Sequence, residues 1–183
     1  MTALPTALTA GTWNIDALHS EFGFVARHAG VSKVKGKFTE ISGVLEVGES
    51  LEDTKVVAKA VASSITTGNE QRDGHLQSGD FFLAEEHPEV VFESIAFENW
   101  DDDEFTLRGI LTMRGVSKEV AFDAEFNGVA TGPDGSLMAG FSAETTINRK
   151  DFGMTFHAVL GGGELLVSDK VKLHIEIEAI KAD

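Results

Sequence analysis

FTLRGILTMRGVSKEVAFDAEF, residues 105–126, decides the fold class. Its first half sets Phe105, Leu107, Gly109, Leu111 and Met113 on one face of an extended chain. Thr106, Arg108, Thr112 and Arg114 share the other face, with Ile110 the exception. Its second half alternates Val120, Phe122, Ala124 and Phe126 with Asp123 and Glu125. Side chains of a strand point to opposite faces in turn, so this period of two marks half-buried strands and not a helix. Gly115-Val116-Ser117 lies between the runs and predicts a tight hairpin.

The same alternation extends outward in both directions. Val171, Leu173, Ile175 and Ile177 alternate with Lys172, His174, Glu176 and Glu178. Asp53 to Ser63 alternates Val56, Ala58, Ala60 and Ala62 with Lys55, Val57, Lys59 and Val61. Ser20–His28, Glu89–Phe97 and Leu137–Asn148 fit the pattern, and Trp13–Asp16 makes a short first strand. Lys33–Val47 is long, and Gly36 and Gly43 predict bulges or bends within it. Roughly eight or nine strands with turns between them predict an all-β antiparallel sandwich or barrel. One segment departs from the rule. Thr67-Gly68-Asn69-Glu70 has the capping-box form, residues 68–78 do not alternate, and Gly79 stands where a C-cap glycine belongs. The spacing predicts one short helix over 68–78, polar enough to lie on the barrel surface or across an end.

At 183 residues the chain is long enough for one domain with a real core. The expected organisation is a flexible segment over residues 1–10 and a single barrel domain over 11–183. Thirty acidic against 15 basic residues give a net charge of −15, which argues against nucleic acid and against anionic membrane surfaces. No uninterrupted apolar run reaches the ~18 residues of a membrane span, so no stable membrane insertion is expected. The opening MTALPTALTAGTW lacks the basic and apolar regions of a secretory signal, and a cytoplasmic protein is expected. With no cysteine, disulfides and thiolate zinc sites are excluded. The six histidines show no close ligand spacing, so no metal site is expected. Gly161-Gly162-Gly163 lacks the following Lys-Ser/Thr of a phosphate loop and reads as a mobile rim loop.

The inward faces mix thirteen phenylalanines with very small residues. An alanine on a core-facing strand position forgoes about 1–2 kcal/mol of the burial that valine or isoleucine would give. Such alanines are either packed by neighbouring rings or left open for a ligand, and alternation alone leaves both readings standing.

Several segments carry a family likeness in order. They are Trp13-Asn14-Ile15-Asp16 with His19-Ser20, then Arg72-Asp73-Gly74-His75-Leu76, Ser78-Gly79-Asp80-Phe81-Phe82 and His87-Pro88. Gly109 to Lys118 and Asn148-Arg149-Lys150-Asp151-Phe152-Gly153 complete the set. Together they resemble the YceI-like family over essentially the whole chain. The resemblance implies an extended lipocalin-like antiparallel barrel of about eight strands, holding a long isoprenoid lipid, a polyprenyl chain or an isoprenoid quinone, for carriage or storage. It implies no catalytic activity and no required cofactor.

On that reading Phe22, Phe24, Ala58, Ala60, Phe92 and Leu107 line the tunnel, with Phe122, Phe126, Phe141 and Ile175 on the opposite strands. Met154 and Phe156, beside the glycine run, would gate it. Arg72, Asp73 and His75 are candidates for a lipid head group, although anchoring the helix to the barrel rim explains Arg72 and Asp73 as well. Two alternatives stand beside this one. The first is an enzyme acting on an apolar substrate with the Arg72/Asp73/His75 group or His28. The second is a stress-response interaction protein with a filled core. Unpaired strand edges or an apolar rim would favour a homodimer.

Overall fold

A computed structural model describes all 183 residues. Eleven strand segments form eight antiparallel staves, because three staves are broken in two. β1 (Gly11–Ile15) and β2 (Glu21–His28) run one after the other along β11 (Lys170–Lys181), with Trp13 opposite Lys181 and Phe22 opposite Ile175. β3 (Ser32–Phe38) and β4 (Ile41–Val47) make the second stave, and β5 (Lys55–Val61) and β6 (Ile65–Thr66) the third. β7 (Glu89–Asp101), β8 (Glu104–Met113), β9 (Val116–Thr131) and β10 (Leu137–Asn148) continue the meander to β11. The β1–β11 pairing closes the barrel, which removes its sheet edges along most of its length.

The hairpin at 105–126 forms as its pattern requires. Met113 faces Val116, and Arg114 and Gly115 both take positive φ (51° and 71°), the left-handed two-residue turn that matches strand twist. The stave over 33–47 breaks at Thr39–Glu40, not at its glycines. There Ser64 ties the chain down: its carbonyl accepts from the Thr39 N–H at 3.1 Å and its hydroxyl from the Glu40 N–H at 3.1 Å. Gly36 and Gly43 serve close approach instead, since a Cβ would collide with the Phe24 ring at Gly36 and with Ile15 at Gly43.

One short helix, α1 (Glu70–Gln77), lies between β6 and β7. Its N-cap is Asn69, whose side chain accepts from the Arg72 N–H at 2.9 Å. The cap therefore falls two residues beyond the expected Thr67. Ser78, in extended conformation, is the C-cap in place of Gly79. No residue of α1 is buried, as its polarity implied.

Apolar side chains gather at the two ends. The helix end holds Phe24, Phe38, Ile65, Met113, Phe152 and Met154, while the opposite end holds Leu8, Trp13, Val47, Phe126, Ala139 and Ala179. Residues 1–10, expected as a flexible segment, dock on that opposite end. Leu8 is buried, Leu4 packs beside it, and the Thr2 N–H donates to both Glu52 carboxylate oxygens at 2.9 Å. Trp13, fully buried, donates its indole N–H to the Thr9 carbonyl at 3.0 Å. Leu4 and Leu8 gain burial that a free arm would lose, which is the physical reason for the difference.

Candidate functional site

Between the two end cores the barrel encloses a cavity of about 120 Å³, lined by 21 residues of which 19 are hydrophobic. It extends from Ile15, Phe97, Phe105 and Ile177 on the Trp13 side to Phe22, Val90, Leu111 and Phe122 on the helix side. Small residues create it. Ala58, Ala60, Ala124 and Ala143 leave the volume that larger side chains would take. The cavity reaches Ser42 and Lys59, both exposed residues. An apolar void of roughly 150 Å³ stays dry and takes up a benzene-sized group, because water needs two or more polar partners. This cavity is of the same class.

Of the residues expected to line a tunnel, eight do so: Phe22, Ala58, Ala60, Phe92, Leu107, Phe122, Phe141 and Ile175. Phe24 and Phe126 lie outside it, each in one of the two end cores. Phe24 sits over Gly36 with its ring centroid 6.2 Å from that of Phe38, and Phe126 stands 5.4 Å from Phe141. Met154 and Phe156, expected together as a gate, are separated. Met154 is buried in the helix-end core, while Phe156 packs outside against Phe81 (5.3 Å) and His75 (5.0 Å).

Ile15, Phe97, Phe105 and Ile177 line the cavity although the sequence reading did not place them there. Strand parity contained the signal for Phe105 and Ile177. It held none for Phe97. A bulge between Ser94 and Ala96 turns Ile95 outward and returns Phe97 to the face of Phe92. Gly109 leaves room for the Phe92 ring, which a Cβ would strike.

Arg72, Asp73 and His75 do not face the cavity. Asp73 accepts from the Thr67 N–H at 2.8 Å and the Thr67 hydroxyl at 2.6 Å. Arg72 donates Nε to Thr67 Oγ1 at 2.7 Å and Nη2 to the Thr67 carbonyl at 3.0 Å. Both side chains thus pin the start of α1 to the residue that follows β6. His75 pairs with Asp80 at 2.8 Å and meets the Phe81 ring edge-on. His28 ends β2, exposed, away from the cavity. His174 is half-buried above Gly23 and lies 3.3 Å from Glu21, more enclosed than the solvent face of its strand suggested.

Arg149 is the polar residue whose role the sequence did not reveal. Only 3% exposed, it donates to the carbonyls of Met154 (2.7 Å), Ser168 (3.0 Å) and Val167 (3.4 Å), and pairs with Asp169 at 3.3 Å. Burial lowers its pKa and Asp169 opposes the shift. It nails the irregular segment 153–169, glycine run included, to the barrel. Arg114 does the same for 79–81, donating to the Gly79 and Phe81 carbonyls at 2.6 Å. On the outer wall, Asp16, His19 and Glu178 meet across the kink between β1 and β2. The 2.7 Å bond to Asp16 raises the His19 pKa and lowers that of Asp16.

Residues 13–179 match the YceI-like domain family. The chain is 38% identical over 168 residues to the UPF0312 protein SA2479 of Staphylococcus aureus strain N315, covering 91% of this chain and 95% of that protein. A crystal structure of a Campylobacter jejuni YCEI protein is similar with a TM-score of 0.73 at 35% identity, over 86% of this chain and 90% of that one. A polyisoprenoid binding domain from Saccharophagus degradans, at 12% identity, shares the fold with a TM-score of 0.74, over 95% of this chain and 100% of that one. No helix here is long and apolar enough to cross a membrane.

Proposed function

We propose a function from one premise: the chain belongs to the YceI-like family. The barrel is a binding protein for a long isoprenoid lipid, a polyprenyl chain or an isoprenoid quinone, held lengthwise for carriage or storage. The observation that carries this reading is the cavity, with 19 hydrophobic residues among its 21. A core that needed only stability would fill the space at Ala58, Ala60 and Ala143 with larger side chains. The polyisoprenoid binding domain with the same fold supports the ligand class.

Magnitudes favour a long ligand over a short one. Each buried methylene contributes about 0.8 kcal/mol, and association costs about 4–15 kcal/mol before any gain appears. A single five-carbon unit supplies about 4 kcal/mol and meets only the lowest of these costs, whereas four units supply about 16 kcal/mol and clear the range. The void as it stands holds about six carbons by the benzene comparison. A full-length chain therefore displaces rings at the helix end of the cavity, where Phe24 packs over Gly36. Affinity then climbs with chain length and levels off when both end cores are reached.

Binding rather than catalysis is the reading because the polar groups near α1 are spent on Thr67 and Asp80 and none opens on the cavity. The test is organic extraction of the purified protein and mass spectrometry of the extract, followed by uptake assays with polyprenyl alcohols and quinones of graded length. A bound or absorbed isoprenoid, with affinity rising with length, is expected. An empty extract with no uptake of any chain overturns the proposal.

A further inference from the structure

The net charge of −15 hides a local reversal. Pairing register puts Lys33 beside Arg27, Lys35 and Lys172 on either side of Val25, and Lys37 beside Gly23 on the outer face of β3, β2 and β11. Lys170 continues the same face at the start of β11. Six of the fifteen cationic side chains, Arg27, Lys33, Lys35, Lys37, Lys170 and Lys172, are thus gathered near one end, and all six are exposed. Glu21 approaches Lys37 at 3.9 Å and Glu144 pairs with Lys172 at 3.1 Å. Arg27, Lys33, Lys35 and Lys170 form no ion pair.

Apolar side chains project at the tip of this basic face. Val31, in the turn between β2 and β3, is 82% exposed. Val159 and Leu160, in the segment held by Arg149, are 55% and 38% exposed. The two loops are stitched together: the Ala29 N–H donates to the Leu166 carbonyl at 3.0 Å, and the Ser168 N–H to the Arg27 carbonyl at 3.0 Å. Isolated exposed valines are ordinary, but an apolar tip flanked by unpaired lysines on an acidic protein is not. Lys and Arg near an anionic bilayer, with apolar side chains entering its boundary, is the chemistry of peripheral membrane attachment.

The position on the barrel agrees. In strand order the basic face is followed by β6, which pairs with β3 alone. β7 pairs with β5 and not with β6, so the wall at this end has an unbonded seam that α1 and Phe82 cover. The Phe82 ring meets Phe38 edge-on at 5.5 Å, and its N–H donates to the Leu76 carbonyl at 2.9 Å, so Phe82 and α1 form one cover over the seam.

The geometry points to a docking surface for an anionic phospholipid bilayer, formed by Arg27, Lys33, Lys35 and Lys170 with Val31 and Leu160 at its tip. It sets the seam beside α1 against the membrane, so that a lipid passes between bilayer and cavity without crossing water. The passage rests on the proposed lipid-binding function; the docking does not, and the test separates them.

The test is flotation of the purified protein with vesicles of phosphatidylglycerol and phosphatidylcholine against vesicles of phosphatidylcholine alone. Binding is expected only to the anionic vesicles, with release as added salt shortens the screening length. Lys33→Gln with Lys35→Gln should weaken partition by about fivefold per charge. Val31→Ser, an exposed change with no fold cost, should weaken it further. Lys55→Gln with Lys118→Gln, off this face, should leave it unchanged. Ala58→Phe, which fills the cavity, should still float, so an empty cavity and a failed dock give different results. Equal binding to both vesicle types, no binding to either, or full binding by the Lys33/Lys35 variant overturns the inference; binding to an acidic protein surface in place of vesicles does so as well.

Discussion

The barrel is stoppered at both ends, and the two stoppers are made differently. Around Trp13 the closure is apolar and continuous: Leu4, Leu8, Val47, Phe126, Ala139 and Ala179 pack on an indole with no exposed area. Around α1 an apolar layer is also present, but the irregular segments over it are tied down by polar fasteners. Arg149 holds 153–169, Arg114 holds 79–81, and Arg72 and Asp73 hold Thr67, while the helix itself contributes only the half-buried Leu76 to the core. Dispersed apolar packing releases only when much of it is lost. A cover tied by a few directional bonds can detach as a unit while the staves below it stay paired. On the proposed function, the helix end is the one through which a lipid would pass, and the Trp13 end is the floor.

The largest break in this comparison should come from the floor. Trp13→Ala removes a fully buried indole and should cost about 3–5 kcal/mol in denaturant unfolding, with the loss global. Next comes the cover. Arg149→Met leaves the Met154 and Ser168 carbonyls without donors and should cost about 2–3 kcal/mol. Hydrogen exchange in this variant should accelerate at 153–169 and 27–31 before the barrel strands respond. If exchange instead rises evenly through the barrel, the two ends are not mechanically distinct. Asp73→Asn keeps the shape but weakens two bonds to Thr67; about 1 kcal/mol is expected, with faster lipid uptake and unaltered capacity.

The smallest effect lies on the outer wall and sharpens the comparison by sparing both ends. His19 has its pKa raised by Asp16, so its contribution is complete below about pH 6.5 and fades as pH rises through the raised value. Asp16 has its pKa lowered by His19, so its contribution is complete above about 3.8 and fades as pH falls through the lowered value. The pair supports the kink most in mildly acidic solution. His19→Gln should lessen the fall of the unfolding midpoint above about pH 6.5 and below about pH 3.8, without altering exchange at either end. A profile identical to that of the parent contradicts the assignment.

Much of this was legible in the sequence where one residue alternates with the next. The 105–126 hairpin, the inward parity of β11 and the alanine run of β5 stand in the structure as they read. What stayed hidden depends on single-residue events. The bulge at Ile95 brings Phe97 into the cavity, and no residue type there announces it. The break at Thr39–Glu40 follows from Ser64, 24 and 25 residues away along the chain, while Gly36 and Gly43, the natural suspects, accommodate neighbouring side chains. Arg149 was visible only as part of a family element, because four acceptors spread over 154–169 converge on it only in three dimensions. The docked N-terminal segment was concealed by its small, mixed composition, in which Leu4 and Leu8 show no strand or helix period.

The central claim is that the space around Ala58 exists to be filled by a ligand chain. Native mass spectrometry of the intact protein after incubation with a polyprenyl alcohol tests it most directly, comparing the parent with Ala58→Phe. The account predicts one lipid per chain in the parent and none in the variant, with the variant folded and at least as resistant to heat as the empty parent. A lipid-free parent, or equal uptake by the filled variant, would contradict it.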